Sequence, residues 1–280
     1  MKIEFESVKP HIGAIVHVDR SALKDEAFAQ RCLEALDKHT VLVFPRIGLN
    51  DDEQLAFTDR LGARVEFSSS GEGSKNVSQA VLQVTLDKKI SDRTEYVQGT
   101  YFWHMDGMPV SDIPPPKATL LSARRIAPKG GQTEFASTFA AYEKLSAAEK
   151  AEIADLRVLH SIHASLRPLI DTEEEDHRWR RASVGRERPL VWAPKSGRKS
   201  LLIGSTADRI IGMPVPEGRA MITRLIEWAA QPDFKYSHHW QEGDLVVWHN
   251  CGALHRVIPY DSESGRLMHR TSLAGTDALN

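Results

Sequence analysis

Gly243-Asp-Leu-Val-Val-Trp-His-Asn-Cys-Gly-Ala-Leu-His255-Arg-Val-Ile-Pro-Tyr-Asp-Ser-Glu-Ser-Gly-Arg266-Leu-Met-His-Arg270-Thr-Ser-Leu-Ala274 contains three short apolar runs, at 245–248, 255–258 and 267–273. Gly, Pro, Asn, Asp and Ser separate them, as turn residues separate strands. Upstream, 190–192, 201–203 and 234–240 read the same way, interrupted by one helical pattern over 217–231. Further strands are expected at 81–86, 100–105, 119–123 and 133–136, with Pro114-Pro-Pro116 as punctuation. Near the start, Ile3, Phe5, Ile12, Ala14, Val16 and Val18 suggest short strands of period two. Residues 24–38 carry Ala27, Phe28, Cys32, Leu33 and Leu36 at helical spacing, and 40–44 is a buried strand. Asn50 with Glu53, and Ser146 with Glu149, are capping boxes for two more helices; Gly62 ends the first and the second runs to Leu156. Many short strands with few helices predict a mainly β protein with flanking helices, a double-stranded β-helix (jelly roll). Residues 1–280 read as one domain with a charged insert around 167–188, acidic first and basic after.

Composition narrows the function. Hydrophobic residues are 41% and charged residues 26%, which excludes wholesale disorder. A net charge of −2 argues against a nucleic-acid binder. The run Arg178-Trp-Arg-Arg continuing to Arg188 is therefore read as a solvated loop by a pocket mouth. Cys32 and Cys251 cannot build a disulfide framework, so a reducing compartment is expected. No apolar run approaches the ~20 residues of a membrane span, and the first residues lack a signal peptide's apolar core. A cytoplasmic protein with a small-molecule partner, neither nucleic acid nor membrane, is expected; a homo-oligomer is compatible with the sequence.

Nucleophile motifs are absent: no G-x-S-x-G, no Walker loop and no C-x-x-C. Gly71-x-Gly73 lacks the third glycine of a phosphate loop. What remains is histidine, twelve of them. His-x-Asp occurs at His17–Asp19 and at His104–Asp106. On a strand, residues i and i+2 share a face, so His104 and Asp106 could reach one metal. A third ligand from a late strand would complete two His and one carboxylate, a set that leaves positions open on Fe(II). The quoted stretch offers His255.

Here the chain resembles the taurine/2,4-dichlorophenoxyacetate dioxygenase family of Fe(II)/2-oxoglutarate enzymes. That pattern has an early His-x-Asp, a late His, and arginines 11 and 15 residues beyond it; Arg266 and Arg270 stand at those distances from His255. Gly130-Gly-Gln-Thr133-Glu-Phe135, the 41–44 strand followed by Gln54-Leu-Ala-Phe, and the pair Ser196-Gly-Arg-Lys199 and Gly212 to Arg219 also match, the last resembling the phenoxyacetate branch. The resemblance implies Fe(II), with 2-oxoglutarate and O₂ as co-substrates. It implies His104, Asp106 and His255 as metal ligands, Thr133 and Arg266 on the far carboxylate of 2-oxoglutarate, and Arg270 on the substrate's anionic group. Thr100 and Tyr101, just upstream of His104, are expected to line the pocket. Hydroxylation of a small, carboxylate-bearing anion follows, with succinate and CO₂ released and cleavage as a further outcome. Retention of Asp106 implies hydroxylation rather than halogenation.

Departures limit the carry-over. Trp-Asp-Asn is common in the family where this chain has Trp248-His249-Asn250, but only His255 gives the arginine spacings. Residues 62–103 contain no His, where taurine enzymes bind sulfonate, so taurine is disfavoured. His17, His160, His163, His238 and His239 are read as core or surface residues. The segments 67–79 and 167–188 are expected to close over the substrate. Three rivals remain: a taurine-type sulfonate dioxygenase, a jelly-roll metal enzyme without 2-oxoglutarate, and a non-catalytic jelly-roll binding protein.

Overall fold

A computed structural model of the protein describes residues 4–66, 77–78, 80–91, 94–109, 114–169, 185–277 and 279. The first half runs β1 (Glu4–Ser7), β2 (Ala14–His17), α1 (Glu26–His39), β3 (Val41–Phe44), α2 (Asp51–Leu61), β4 (Val77–Ser78), β5 (Val81–Val84), α3 (Thr94–Gly99), β6 (Ala118–Arg125) and β7 (Thr133–Ser137). Next come α4 (Thr138–Lys144), α5 (Ala147–Ile153), β8 (Arg157–His160), α6 (Ile162–Leu166), β9 (Arg186–Pro189), β10 (Val191–Trp192), β11 (Ser200–Leu201) and β12 (Ala207–Ile210). The chain ends with α7 (Val215–Ala229), β13 (Lys235–His238), β14 (Leu245–His249), β15 (Ala253–Val257) and β16 (Leu267–Leu273).

The quoted C-terminal stretch supplies strands to two different sheets. β14 and β16 flank β6 in the largest sheet, ordered β1-β2-β3-β14-β6-β16-β5-β4. β15 joins a smaller sheet, β13-β7-β15. Beyond the free edge of β15, His104 adds one antiparallel bridge to His255. These two sheets form the jelly roll.

Parity along each strand decides what lies between the sheets. Val41, Val43, Val246, Trp248, Leu121, Ala123 and Met268 face inward and meet Phe135 and Ala253 of the smaller sheet. Their neighbours Leu42, Phe44, Leu245, Val247 and Leu120 pack outward with Phe28, Leu36 and Phe57 of α1 and α2. The central strands are thus covered on both faces, which explains their unbroken apolar runs. Both capping boxes form: Asn50 accepts from Glu53 N, Ser146 from Glu149 N, and each Glu reaches back.

Two expectations fail. No strand forms over 100–105. A helical turn continues from α3, with backbone N–H groups of Thr100, Tyr101 and Phe102 bonding Val97, Gln98 and Gly99 carbonyls. Those local bonds outcompete the aromatic residues' preference for strand. The basic end of the 167–188 segment is not a solvated loop either. Arg186–Pro189 pairs with β8, and Arg188 is buried with Nε donating to the Met108 carbonyl at 3.3 Å. Residues 67–76, 79 and 170–184 lie outside the described residues, as do Gly71 and Gly73. Cys32 and Cys251 are buried free thiols. Among the described residues no helix is long and apolar enough to cross a membrane.

His160 is buried on β8, with Nδ1 2.9 Å from the Thr206 hydroxyl. Burial, reinforced by Arg188, pushes it down from 6.5 to about 3. Below the ordinary histidine value the unfolded chain takes up a proton that the native chain refuses. The stability contributed by neutral His160 is therefore present at neutral pH and lost as pH falls through that window. His160→Gln should lower the slope of unfolding free energy against pH by about 1.4 kcal/mol per unit between about pH 4 and pH 6. Urea denaturation across that range measures it; an unchanged slope would contradict a neutral buried His160.

Candidate active site

The inward-facing positions gather the chemistry. On β15 the inward residues are Ala253, His255 and Val257, while Arg256 points outward to Glu134 at 2.7 Å. His104 N donates to His255 O at 3.0 Å, and His255 N donates to His104 O at 2.9 Å. This two-way bridge sets the rings side by side, centroids 4.0 Å apart and tilted by 46°. Asp106 follows on a turn, with Oδ2 3.7 Å from His255 Nε2. One ligand atom from each of His104, Asp106 and His255 lies within 4.8 Å of the other two.

His104 Nδ1 is 2.9 Å from the Phe102 carbonyl. A carbonyl only accepts, so Nδ1 carries the proton and Nε2 keeps a free lone pair. The His255 ring is held by Trp248 at 4.7 Å and Phe135 at 6.3 Å between centroids. Burial holds His104 below the ordinary histidine value, against the pull of Asp106. Burial and then His104 hold His255 well below it. For Asp106, burial raises the carboxyl, but Arg270, the two histidines and Thr119 outweigh it and hold it well below the usual range. At neutral pH the cluster is thus two neutral imidazoles and a carboxylate. That donor set fits a divalent transition metal with positions left open, and these three residues could hold one ion.

The same three side chains line a cavity walled by Val84, Val97, Leu121, Trp248 and Val257. Thr100, Thr133, Arg266 and Arg270 also reach it. Arg266, Met268 and Arg270 share the inner parity of β16. The register irregularity beside Leu267 lies on β6, where Arg124 is the extra residue, so β16 keeps its alternation. Arg266 is buried, stacked 4.8 Å from the Tyr260 ring centre, and among the described residues has no carboxylate partner. Burial lowers its pKa from 12.5. The Thr133 hydroxyl accepts from Trp240 Nε1 at 2.9 Å, which leaves its own proton to donate. A guanidinium lacking an anion beside a free hydroxyl proton fits the far carboxylate of a dicarboxylate.

The Gly130-Gly131 turn makes this approach possible. Both glycines have positive φ, 75° and 76°. A Cβ on Gly130 would stand 2.1 Å from Pro259 O, and one on Gly131 3.1 Å from Arg266 Nε. Arg270 Nη2 lies 3.1 Å from Asp106 Oδ2, so without a ligand it is the counter-ion of that carboxylate. Tyr101, expected to line the cavity, packs instead with Tyr260 and Val257 on the Arg266 side.

Other candidates stand apart. His17 is exposed and pairs with Glu6 at 2.6 Å. His249 has outward parity on β14 and sits 3.7 Å from Asp37 of α1. His238 pairs with Asp244 at 3.0 Å. The Ser196–Arg219 similarity serves the scaffold: Arg198 holds Glu143 at 2.6 Å and Arg219 holds Asp208 at 2.8 Å. Sequence reading missed Trp248, Thr119 and Asn250. Inward parity on β6 and β14 is the signal that would have found the first two.

The profile of the family described as "Taurine catabolism dioxygenase TauD, TfdA family" matches residues 4–272. The chain belongs to this family. It is 34% identical over 275 residues to the (S)-phenoxypropionate/alpha-ketoglutarate-dioxygenase of Sphingobium herbicidovorans, covering 95% of this chain and 93% of that protein. It is 32% identical over 286 residues to the alpha-ketoglutarate-dependent 2,4-dichlorophenoxyacetate dioxygenase of Burkholderia sp., covering 98% and 95%. The crystal structure of AAD-2 in complex with Mn(II) and N-oxalylglycine superposes with a TM-score of 0.82 at 34% identity, covering 100% of both chains. The protein is a 2-oxoglutarate-dependent dioxygenase, with Fe(II), 2-oxoglutarate and O₂ as the family's cofactor and co-substrates.

His255→Ala should weaken Mn(II) binding by more than the about 10–100-fold typical of residues behind a ligand. Calorimetric titration of folded protein measures it; full affinity in the variant would remove His255 from the ligand set.

Proposed function

We propose that the enzyme hydroxylates a small carboxylate-bearing substrate, with His104, Asp106 and His255 as metal ligands. Arg266 and Thr133 hold the far carboxylate of 2-oxoglutarate, and Arg270 holds the substrate's carboxylate. The observation that carries this reading is two guanidiniums converging on one apolar-walled cavity that also contains the His-Asp-His cluster. Among the described residues Arg266 has no carboxylate partner, and Arg270 is paired with the metal-binding carboxylate. Two cations suit two anions, co-substrate and substrate.

The balance is one O₂, one 2-oxoglutarate and one C–H giving succinate, CO₂ and C–OH. When bound, Fe(II) would supply the redox centre for O₂ activation, and the two-electron oxidations of 2-oxoglutarate and of the C–H bond balance the four-electron reduction of O₂. The chain's residues bind and orient the two acids, and Val84, Val97, Leu121 and Val257 keep water away from the reacting carbon. The relatives named for (S)-phenoxypropionate and 2,4-dichlorophenoxyacetate support a carboxylate flanked by an aryl ether. Hydroxylation of the carbon beside an ether oxygen gives a hemiacetal, whose collapse to a carbonyl compound and a phenol would cleave the substrate.

Succinate release, with Fe(II) and ascorbate present, should be stimulated most by aryloxyalkanoic acids in a panel that includes their neutral amides, alkyl sulfates and sulfonates. An amide turning over as well as its acid would end the anion requirement. Arg266→Ala should raise the 2-oxoglutarate KM at least about 30-fold, since losing a buried charge-assisted partner costs on the order of 2–5 kcal/mol. Arg270→Leu should abolish turnover of the acid while the anaerobic Fe(II)–2-oxoglutarate absorption persists. Loss of that absorption would move Arg270 to the co-substrate site.

A further inference from the structure

Asp106 is on a turn rather than a strand, so no backbone ladder restrains it. Its carboxylate is instead met from behind by Thr119, an inward residue of β6, whose Oγ1 lies 2.8 Å from Oδ2. The same hydroxyl is 3.1 Å from Asn250 Oδ1. All three side chains are buried.

A hydroxyl has one proton and cannot donate it to two acceptors. The contact to Asp106 Oδ2 is the shorter, and a carboxylate oxygen turned to a metal only accepts, so the proton goes to Asp106. The Asn250 carbonyl oxygen would then face the Thr119 oxygen with no proton between them. Meanwhile Asn250 Nδ2 is buried with no hydrogen-bond partner. Turning the amide end for end resolves the conflict of two acceptors and gives Nδ2 an acceptor in Thr119. Its N–H then donates to Thr119, and Thr119 donates to Asp106. The position of Asn250 is fixed by the backbone, because its N–H donates to the Lys117 carbonyl at the entry to β6 at 2.9 Å. Thr119 is fixed likewise, between Trp248 of β14 and Ser272 of β16.

We propose that Asn250 and Thr119 form a hydrogen-bond relay that positions the Asp106 carboxylate for the metal, with Asn250 acting only through Thr119. Neither touches the cavity, so both are positioning residues. The inference rests on the metal-site reading above. It gives Thr119 and the last residue of the Trp248-His249-Asn250 run a role in the same site. The relay also divides labour around Asp106: a neutral donor fixes its direction from behind, and the cation Arg270 meets it from the cavity side.

The test is Mn(II) affinity by calorimetric titration, with the anaerobic Fe(II)–2-oxoglutarate absorption as a second readout. Thr119→Val should weaken Mn(II) binding about 10–100-fold and shift the absorption. Thr119→Ser, which keeps the hydroxyl, should return both to near the wild-type values. Asn250→Leu should weaken binding in the wild-type background and have no further effect on top of Thr119→Val, because a residue acting through another is not additive with it. Should valine disturb the fold by circular dichroism, Thr119→Ala removes the hydroxyl with no added volume. Wild-type affinity in Thr119→Val or Thr119→Ala, equal losses in Val and Ser variants, or a full additional loss from Asn250→Leu would each overturn the relay. No Mn(II) binding by the wild-type protein would overturn the metal-site reading itself, and the relay with it.

Discussion

The two backbone hydrogen bonds between His104 and His255 are the constraint on which the site depends. They join a turn segment to the free edge of the smaller sheet. An isolated bridge of two bonds is weak as secondary structure, yet it fixes both imidazoles at once, because each ring leaves its backbone at the paired residue. Asp106, two residues beyond the bridge, is then delivered to Thr119 on the opposite sheet. The site therefore spans the jelly roll: one imidazole on a sheet, one at its edge, and the carboxylate anchored across the gap. Anything that separates the sheets breaks the cluster before it unfolds either sheet.

The larger sheet is held in place by helices on its outer face. α1 and α2 bury Phe28, Phe57 and Leu61 against the outward residues of β3, β6 and β14. A polar network ties α2 to β16: Gln54 Nε2 donates to the His269 carbonyl at 3.1 Å, and Thr58 meets Thr271 at 2.8 Å. Those bonds are made by the outward residues of the strand whose inward residues include Arg270. The capping box at Asn50 starts this helix at a defined residue, so a local sequence signal fixes a distant cavity wall through its packing.

Much of this was legible in the sequence. Strands β3, β6, β7, β14, β15 and β16 were readable because both faces are buried and their runs are apolar. The late histidine and two arginines were readable through the family resemblance, whose spacings of 11 and 15 residues they match. Residues 100–105 were not, because aromatic and β-branched composition favours a strand while the helical turn after α3 satisfies the same N–H groups locally. β8 and β12 were missed because Arg157-Val-Leu-His160 and Ala207-Asp-Arg-Ile210 mix charged residues into short runs, so no apolar run marks them. Tyr101 was misplaced for the same reason as the strand that held it. Thr119 was findable only as an inward residue of β6, and only the fold puts Asn250 behind it.

The ion pair between Arg270 and Asp106 balances charge on that side of the cavity. Such a pocket does not draw in an acid as an open positive charge would. With the proposed roles, an incoming carboxylate exchanges with one already there, and Asp106 passes to the metal. Selection on that reading is a trade between two carboxylates for one guanidinium, in which a molecule without an anion has nothing to offer.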